Sequence, residues 1–159
     1  MVRRKRRLKL IGLLAGTAIW MGADCASFPP FGPVPVADTV VIELANYTEF
    51  SVEPWLFVDP VVGVAIEQLL VEENWVEVDP PLEPSELATY EFYCEDVGTL
   101  ASDHAWMYIS DTEYYESDDA PVLDQGIDFA CGDTVTLNFI DDGQVFYTLV
   151  EVNGQPLPD

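Results

Sequence analysis

The sequence predicts an all-β chain: a single antiparallel β-sandwich, immunoglobulin-like, of about seven to eight short strands, preceded by a helical signal segment. Three observations carry this reading. Apolar residues recur with period two in short runs, as at Val40, Ile42 and Leu44, which matches a strand with one face in a core. Turn residues punctuate the chain about every ten positions. No heptad, internal repeat or long amphipathic run interrupts the pattern.

The N-terminal element comes first. The chain has 159 residues with 29 Asp+Glu against 6 Lys+Arg, a formal charge of −23. All the bases, Arg3, Arg4, Lys5, Arg6, Arg7 and Lys9, precede position 10. They open a secretory signal that continues through the uncharged run Leu10 to Met21 and the small residues around Ala23. A spanning helix needs about 20 apolar residues, and Asp24 interrupts this run too early. Residues 1–25 are therefore expected to be a signal peptide. Gly22-Ala23-Asp24-Cys25 resembles the lipobox of bacterial lipoproteins, which makes Cys25 a lipidation candidate. It departs from that pattern with Gly22 where Leu is usual and Asp24 where a small residue is usual. Cleavage after Cys25, with Ala23 and Cys25 as the small pair, is the competing reading. Arg6-Arg7 also partly matches a twin-arginine signal. Residues 26–37 form a Pro-rich linker, semi-stiff and extended, which serves equally as a spacer from a membrane or as a plain lead-in.

From Asp38 on, the strands follow in order across the acidic domain of residues 38–159. Thr39 to Leu44 puts Val40, Ile42 and Leu44 on one face, and Asn46-Tyr47-Thr48 is a turn. Val52 to Val58 contains Pro54, which has no amide donor and so places this strand at an edge or on a bulge. Residues 64–73 are short and without decisive period, with strand preferred to helix. Trp75 to Val78 is brief. Leu87 to Cys94 alternates with Ala88, Tyr90, Phe92 and Cys94 on the inward side. Ala105 to Ile109, an acidic loop and Ile127 to Ala130 come next. Thr134 to Ile140 and Gln144 to Val152 flank Asp141-Asp142-Gly143, the clearest hairpin signal in the chain.

Once Cys25 is lipidated or removed, Cys94 and Cys131 remain as an even pair in an oxidising compartment, and a disulfide between them is expected. A two-Cys metal site or a reactive thiol lacks support, because the domain holds one His and no cation to lower a thiol pKa.

Charge decides which partners are excluded. Removing Asp24 from the 29 acids leaves 28 beyond the linker, with no Lys or Arg among them. Nucleic acid and anionic lipid are held through Lys and Arg, so no nucleic acid is expected, and no membrane contact except through the signal or a lipid anchor. Calcium is the one cofactor the sequence offers. Asp111, Glu113, Glu116, Asp118 and Asp119, followed by Asp124 and Asp128, supply several hard oxygens in a loop-like stretch, although a solvated acidic surface needs no ion at all. Trp55, Trp75, Trp106, Tyr108, Tyr114 and Tyr115 can pack a core or form a sugar platform. Tyr114 and Tyr115, inside the acidic stretch, are the pair most removed from a core. The single imidazole, His104, lies in Ser102-Asp103-His104, whose neighbours point to opposite sides of an extended chain and so do not converge as a catalytic triad. Asn46-Tyr47-Thr48 also matches a glycosylation sequon.

Glu86 to Cys94, Val97 to Asp103 and Phe129 to Thr136 together resemble segments of uncharacterised secreted or lipoprotein-like β-rich proteins of planctomycete-type bacteria. The resemblance covers about half the mature chain. It implies export, two bridged cysteines and a small β domain, and it implies no activity. The expected function is thus a non-enzymatic, extracytoplasmic β-sandwich module, membrane-anchored or secreted, that meets a surface protein or glycan. A calcium-assisted carbohydrate-binding module is the alternative, and an exported hydrolase the third reading.

Overall fold

Val40, Ile42 and Leu44 are fully buried on β1 (Thr39–Asn46), as their alternation requires. The computed structural model describes residues 38–118 and 121–157. The signal segment with Cys25, the linker and Asp119 lie outside the described residues.

The elements that follow are β2 (Ser51–Asp59), α1 (Ile66–Leu69), β3 (Trp75–Val76), β4 (Leu87–Tyr93), β5 (Thr99–Ser110), β6 (Glu113–Glu116), β7 (Leu123–Asp124), β8 (Thr134–Asp141), β9 (Phe146–Val152) and β10 (Gln155–Pro156). They make two sheets. The first runs β10-β9-β8-β1-β4 and the second β3-β2-β5-β6, with β7 also on β5. One core cluster draws Ile42, Leu44 and Phe139 from the first sheet and Leu56, Leu100 and Met107 from the second.

The expected all-antiparallel pairing needs one correction. β1 runs antiparallel to β4 but parallel to β8, with Ile42 opposite Val135 and Leu44 opposite Leu137. A parallel pair requires a long crossover, and here the whole of the second sheet is built between the two strands.

Three further expectations change. The 64–73 run, expected as a strand, contains the short helix α1 instead. Its Leu69 is fully buried and packs with Phe57 and Ala101, so this run covers part of the second sheet's outer side. Ile127 to Ala130 is mostly turn rather than strand: Gly126 takes φ +82°, and the Asp124 carbonyl accepts hydrogen bonds from the Ile127 and Asp128 amides. The acidic loop after Ile109 contains β6, hydrogen-bonded to β5. Charged residues are how a sheet edge is protected from further pairing, and this strand is such an edge.

Asn46 closes the β1–β2 turn. Its side-chain amide donates to the carbonyls of Phe50 (2.8 Å), Leu82 (3.0 Å) and Glu83 (3.1 Å), and its Oδ1 accepts the Thr48 amide at 2.9 Å. At 1% exposure, this amide nitrogen serves the fold, which argues against the sequon as an acceptor in the folded protein. Between β8 and β9, the Asp142 carboxylate accepts the Val145 and Gln144 amides, and these bonds hold its pKa below the ordinary carboxylate value. Gly98 is required by space: a Cβ there would collide with the backbone of Pro60 and Val61.

The disulfide joins Cys94, just after β4, to Cys131, just before β8, with Cα atoms 5.6 Å apart. Cys94 also packs against the core, as the inward parity of β4 predicts.

Candidate functional site

The site begins with a bulge. Pro54 pairs with Ala105 and Leu56 with Ser102, so two β5 residues, Asp103 and His104, stand opposite the single β2 residue Trp55. Pro54, expected at an edge or a bulge, borders this irregularity. A bulge re-aims side chains. Ser102 and Ala105 are both fully buried, while His104 turns to the same side as Trp55 and Trp106.

The result is a continuous run of rings on the outer side of the second sheet. Ring centroids are 6.1 Å apart for Trp75–Trp55, 5.3 Å for Trp55–Trp106 and 5.1 Å for Trp106–Tyr114. His104 lies against both indoles, 4.6 Å from Trp55 and 5.6 Å from Trp106. Tyr108 continues the run beside Tyr114 at 6.4 Å. Neighbouring planes are tilted by 35°, 52° and 37° along Trp75–Trp55–Trp106–Tyr114, so the surface is stepped. The two ends reach solvent, Trp75 being 42% and Tyr114 51% exposed. The middle is half-buried, which fixes its rings by packing.

Carboxylates border these rings. Glu53 pairs with Trp106 across β2–β5, and Glu116 pairs with it across β5–β6. The Tyr108 hydroxyl donates to Glu53; burial, then this bond and the negative charge of Glu53, push the Tyr108 pKa up to about 12. The phenol therefore stays a neutral donor. His104 Nδ1 lies 3.1 Å from Asp103 Oδ2 and 3.9 Å from Glu116 Oε1, with the imidazole side chain 13% exposed. The Ser102 hydroxyl bonds to the His104 backbone carbonyl rather than to the ring.

The acidic residues singled out by sequence are distributed differently from a loop cluster. Glu113 and Glu116 are separated by an odd number of positions on β6 and so point to opposite faces. Asp111 lies in the β5–β6 turn and Asp118 beyond β6. Among the described residues, no group of three or more His, Cys, Asp or Glu side chains is placed to hold a metal ion; Asp119 is not among them. Asp124 and Asp128 have structural work. Asp124 Oδ1 accepts from Thr99 Oγ1 at 2.5 Å and from the Gly63 amide at 2.9 Å, and Asp128 Oδ2 accepts the Asp124 amide at 2.8 Å.

The Tyr114–Tyr115 pair also separates. Tyr114 opposes Tyr108 and joins the ring face; Tyr115 opposes Met107 and points the other way, 56% exposed at the sheet edge. The sequence offered Trp55, Trp75, Trp106, Tyr108, Tyr114 and Tyr115 together, as core or as platform. It did not choose between the two, and it missed the participation of His104 and Glu53. The spacing of Trp106 and Tyr108 carried a signal of a shared face, but the bulge that adds His104 had none. Two shallow depressions lie elsewhere, one lined by Gly126 to Ala130 with Asp133 and the other by Tyr47, Asn138, Ile140, Leu149 and Glu151.

No protein-family model, curated protein or solved structure matches the chain.

Proposed function

We propose that the protein is an exported, non-enzymatic module, built as an immunoglobulin-like β-sandwich, that makes its contact with a cell-surface partner through the ring face of the second sheet. One observation carries the reading: Trp75, Trp55, Trp106 and Tyr114 form an unbroken chain of ring contacts with exposed rings at both ends. Burial of large rings is the ordinary way to fill a core, whereas an apolar row left on an outer face with carboxylates along it has the composition of a contact surface. The basic N-terminus and the Gly22-Ala23-Asp24-Cys25 segment supply the route out of the cytoplasm.

Export and contact are tested together. Replacing Cys25→Ser is expected to move the protein from the membrane to the soluble fraction, and intact mass should show lipid only on the parent. A soluble parent beginning at Ala26 would rule out the anchor. Exported Cys25→Ser protein should then rebind isolated cell envelopes, and adding Trp75→Ala and Tyr114→Ala should abolish rebinding at unchanged melting temperature. Equal rebinding by both proteins would remove the ring face as the contact.

The same rings favour a second reading, a calcium-assisted carbohydrate-binding module, and salt separates its metal component from plain charge. The 29 acids less Asp24 leave 28 with no internal Lys or Arg, and they repel one another more in the compact state than in the expanded chain. Raising sodium chloride from about 0.01 M to 1 M shortens the Debye length from about 30 Å to 3 Å, so the melting temperature should rise. A calcium site formed only on folding adds stabilisation beyond sodium at matched ionic strength. Equal shifts would dismiss a site at Asp111, Glu113, Glu116, Asp118 and Asp119, and no shift from either salt would refute the repulsion argument.

A further inference from the structure

We infer that the ring face docks a basic segment of a partner protein, with Arg and Lys side chains lying on Trp75, Trp106 and Tyr114 and reaching the Glu116 carboxylate beside them. The inference rests on the reading of this face as the contact surface and adds the chemistry of what it contacts.

Charge complementarity carries it. Indole and phenol rings present electron-rich faces that attract cations. Trp106 has Glu53 opposite it on one neighbouring strand and Glu116 on the other, and the Glu116 side chain is 58% exposed. A carboxylate accepts hydrogen bonds and donates none; Glu53 already accepts the Tyr108 hydroxyl, so the exposed Glu116 is the carboxylate that offers a place for an ammonium or guanidinium head. No Lys or Arg follows Lys9, so among the described residues the basic side chain beside these rings and carboxylates is His104, packed on Trp55 and Trp106 and 3.9 Å from Glu116 Oε1. The wider field acts in the same direction: 28 acids, the 29 less Asp24, steer a basic segment toward the domain and give an uncharged glycan no such advantage. The stepped rings, tilted by 35° and 52° at the Trp55 contacts with Trp75 and Trp106, offer separate planes to separate side chains. Arg fits them better than Lys, because a planar guanidinium stacks on a ring while forking to a carboxylate.

The test titrates purified exported protein with nona-arginine, nona-lysine and the neutral sugar cellohexaose at about 0.15 M sodium chloride, reading tryptophan fluorescence. Saturable quenching by nona-arginine is expected, with weaker binding of nona-lysine. Affinity for nona-arginine should fall about tenfold or more in the Trp75→Ala/Tyr114→Ala variant and about threefold in Glu116→Gln, at unchanged melting temperature. Equal nona-arginine affinity in parent and variants would mean diffuse attraction to an acidic surface and overturn the inference. So would an absence of nona-arginine binding, or cellohexaose binding that is lost in the ring variant. In those cases envelope rebinding that still depends on Trp75 and Tyr114 keeps the contact face and removes only its cationic partner, whereas rebinding indifferent to them removes the face itself.

Discussion

Substituting Asn46→Asp is expected to destabilise the domain by about 4 kcal/mol at pH 8, several-fold more than Asn46→Ala, which should cost about 1–2 kcal/mol. The difference comes from what surrounds the side chain. Three backbone carbonyls, those of Phe50, Leu82 and Glu83, lie within 3.1 Å of Asn46 Nδ2. Each has a second donor: the Thr48 hydroxyl for Phe50, the Val52 amide for Leu82 and the Glu86 amide for Glu83. Alanine therefore strands mainly the Thr48 amide and a small cavity. Aspartate keeps the Thr48 bond but directs a second anionic oxygen at three carbonyl oxygens, in a site 1% exposed and a domain without Lys or Arg. Its carboxyl pKa in the fold must rise, and about three pKa units at 1.36 kcal/mol each accounts for the cost. A folded pKa above the unfolded one gives stability that is present at low pH and lost as pH rises. The gap between variant and parent should thus narrow from pH 8 to about pH 5.5, as the introduced carboxyl takes up a proton and recovers one donor. Urea melts of both proteins across that range decide it. A pH-independent gap, or equal costs for Asp and Ala at pH 8, would show that the amide is not held as described.

How much of this was legible in the sequence depends on whether a feature is local. The inward parity of Val40, Ile42 and Leu44, the Asp141-Asp142-Gly143 hairpin and the inward Cys94 follow from period two and turn chemistry, which need no knowledge of the partner strand. The parallel β1–β8 pair was not legible, because alternation says which face is buried and nothing about which strand lies alongside. β6 was hidden by its own composition: Glu113 and Glu116 read as loop on strand preference, yet at a sheet edge a charged strand is an advantage. α1 shows the reverse case. Its apolar run is too short for a period, and only the presence of Phe57 and Ala101 beneath Leu69 explains it.

The candidate site was legible as residue types and not as a place. Trp55, Trp75, Trp106 and Tyr114 could each have filled the core, and what brings them together is the register of β2, β3, β5 and β6. The extra β5 residue opposite Trp55 then sets His104 between two indoles. A one-residue difference in pairing moves a side chain across the sheet, so no reading of Ser102-Asp103-His104 alone could assign its histidine to the outer face. The calcium candidates fared differently for the same reason: closeness in sequence placed Glu113 and Glu116 together, and the strand they share turned them apart.

Loss of the Cys94–Cys131 bridge should be the other large effect, about 4 kcal/mol in the Cys94→Ala/Cys131→Ala variant, since the two are 37 positions apart and closing a loop of that length removes that much entropy from the unfolded chain on the chain-entropy estimate. Such a loss is a large part of the roughly 5–15 kcal/mol that ordinary domains possess. Here it falls on a domain already strained by its charge. The bridge restricts the unfolded chain, while repulsion among the acids raises the free energy of the folded one; the two act on opposite sides of the equilibrium and should add. The variant is accordingly expected to be mostly unfolded in about 0.01 M salt at 37 °C and to regain structure near 1 M, where the Debye length falls to about 3 Å. The parent treated with reductant should follow the same curve, which separates the covalent link from any packing lost with the sulfur atoms. Urea midpoints at high salt, converted with the measured slope, give the size of the term. A shift worth less than about 1 kcal/mol, or a reduced parent that melts with the oxidised one, would mean that the chain between β4 and β8 is held by its sheets and not by the bridge.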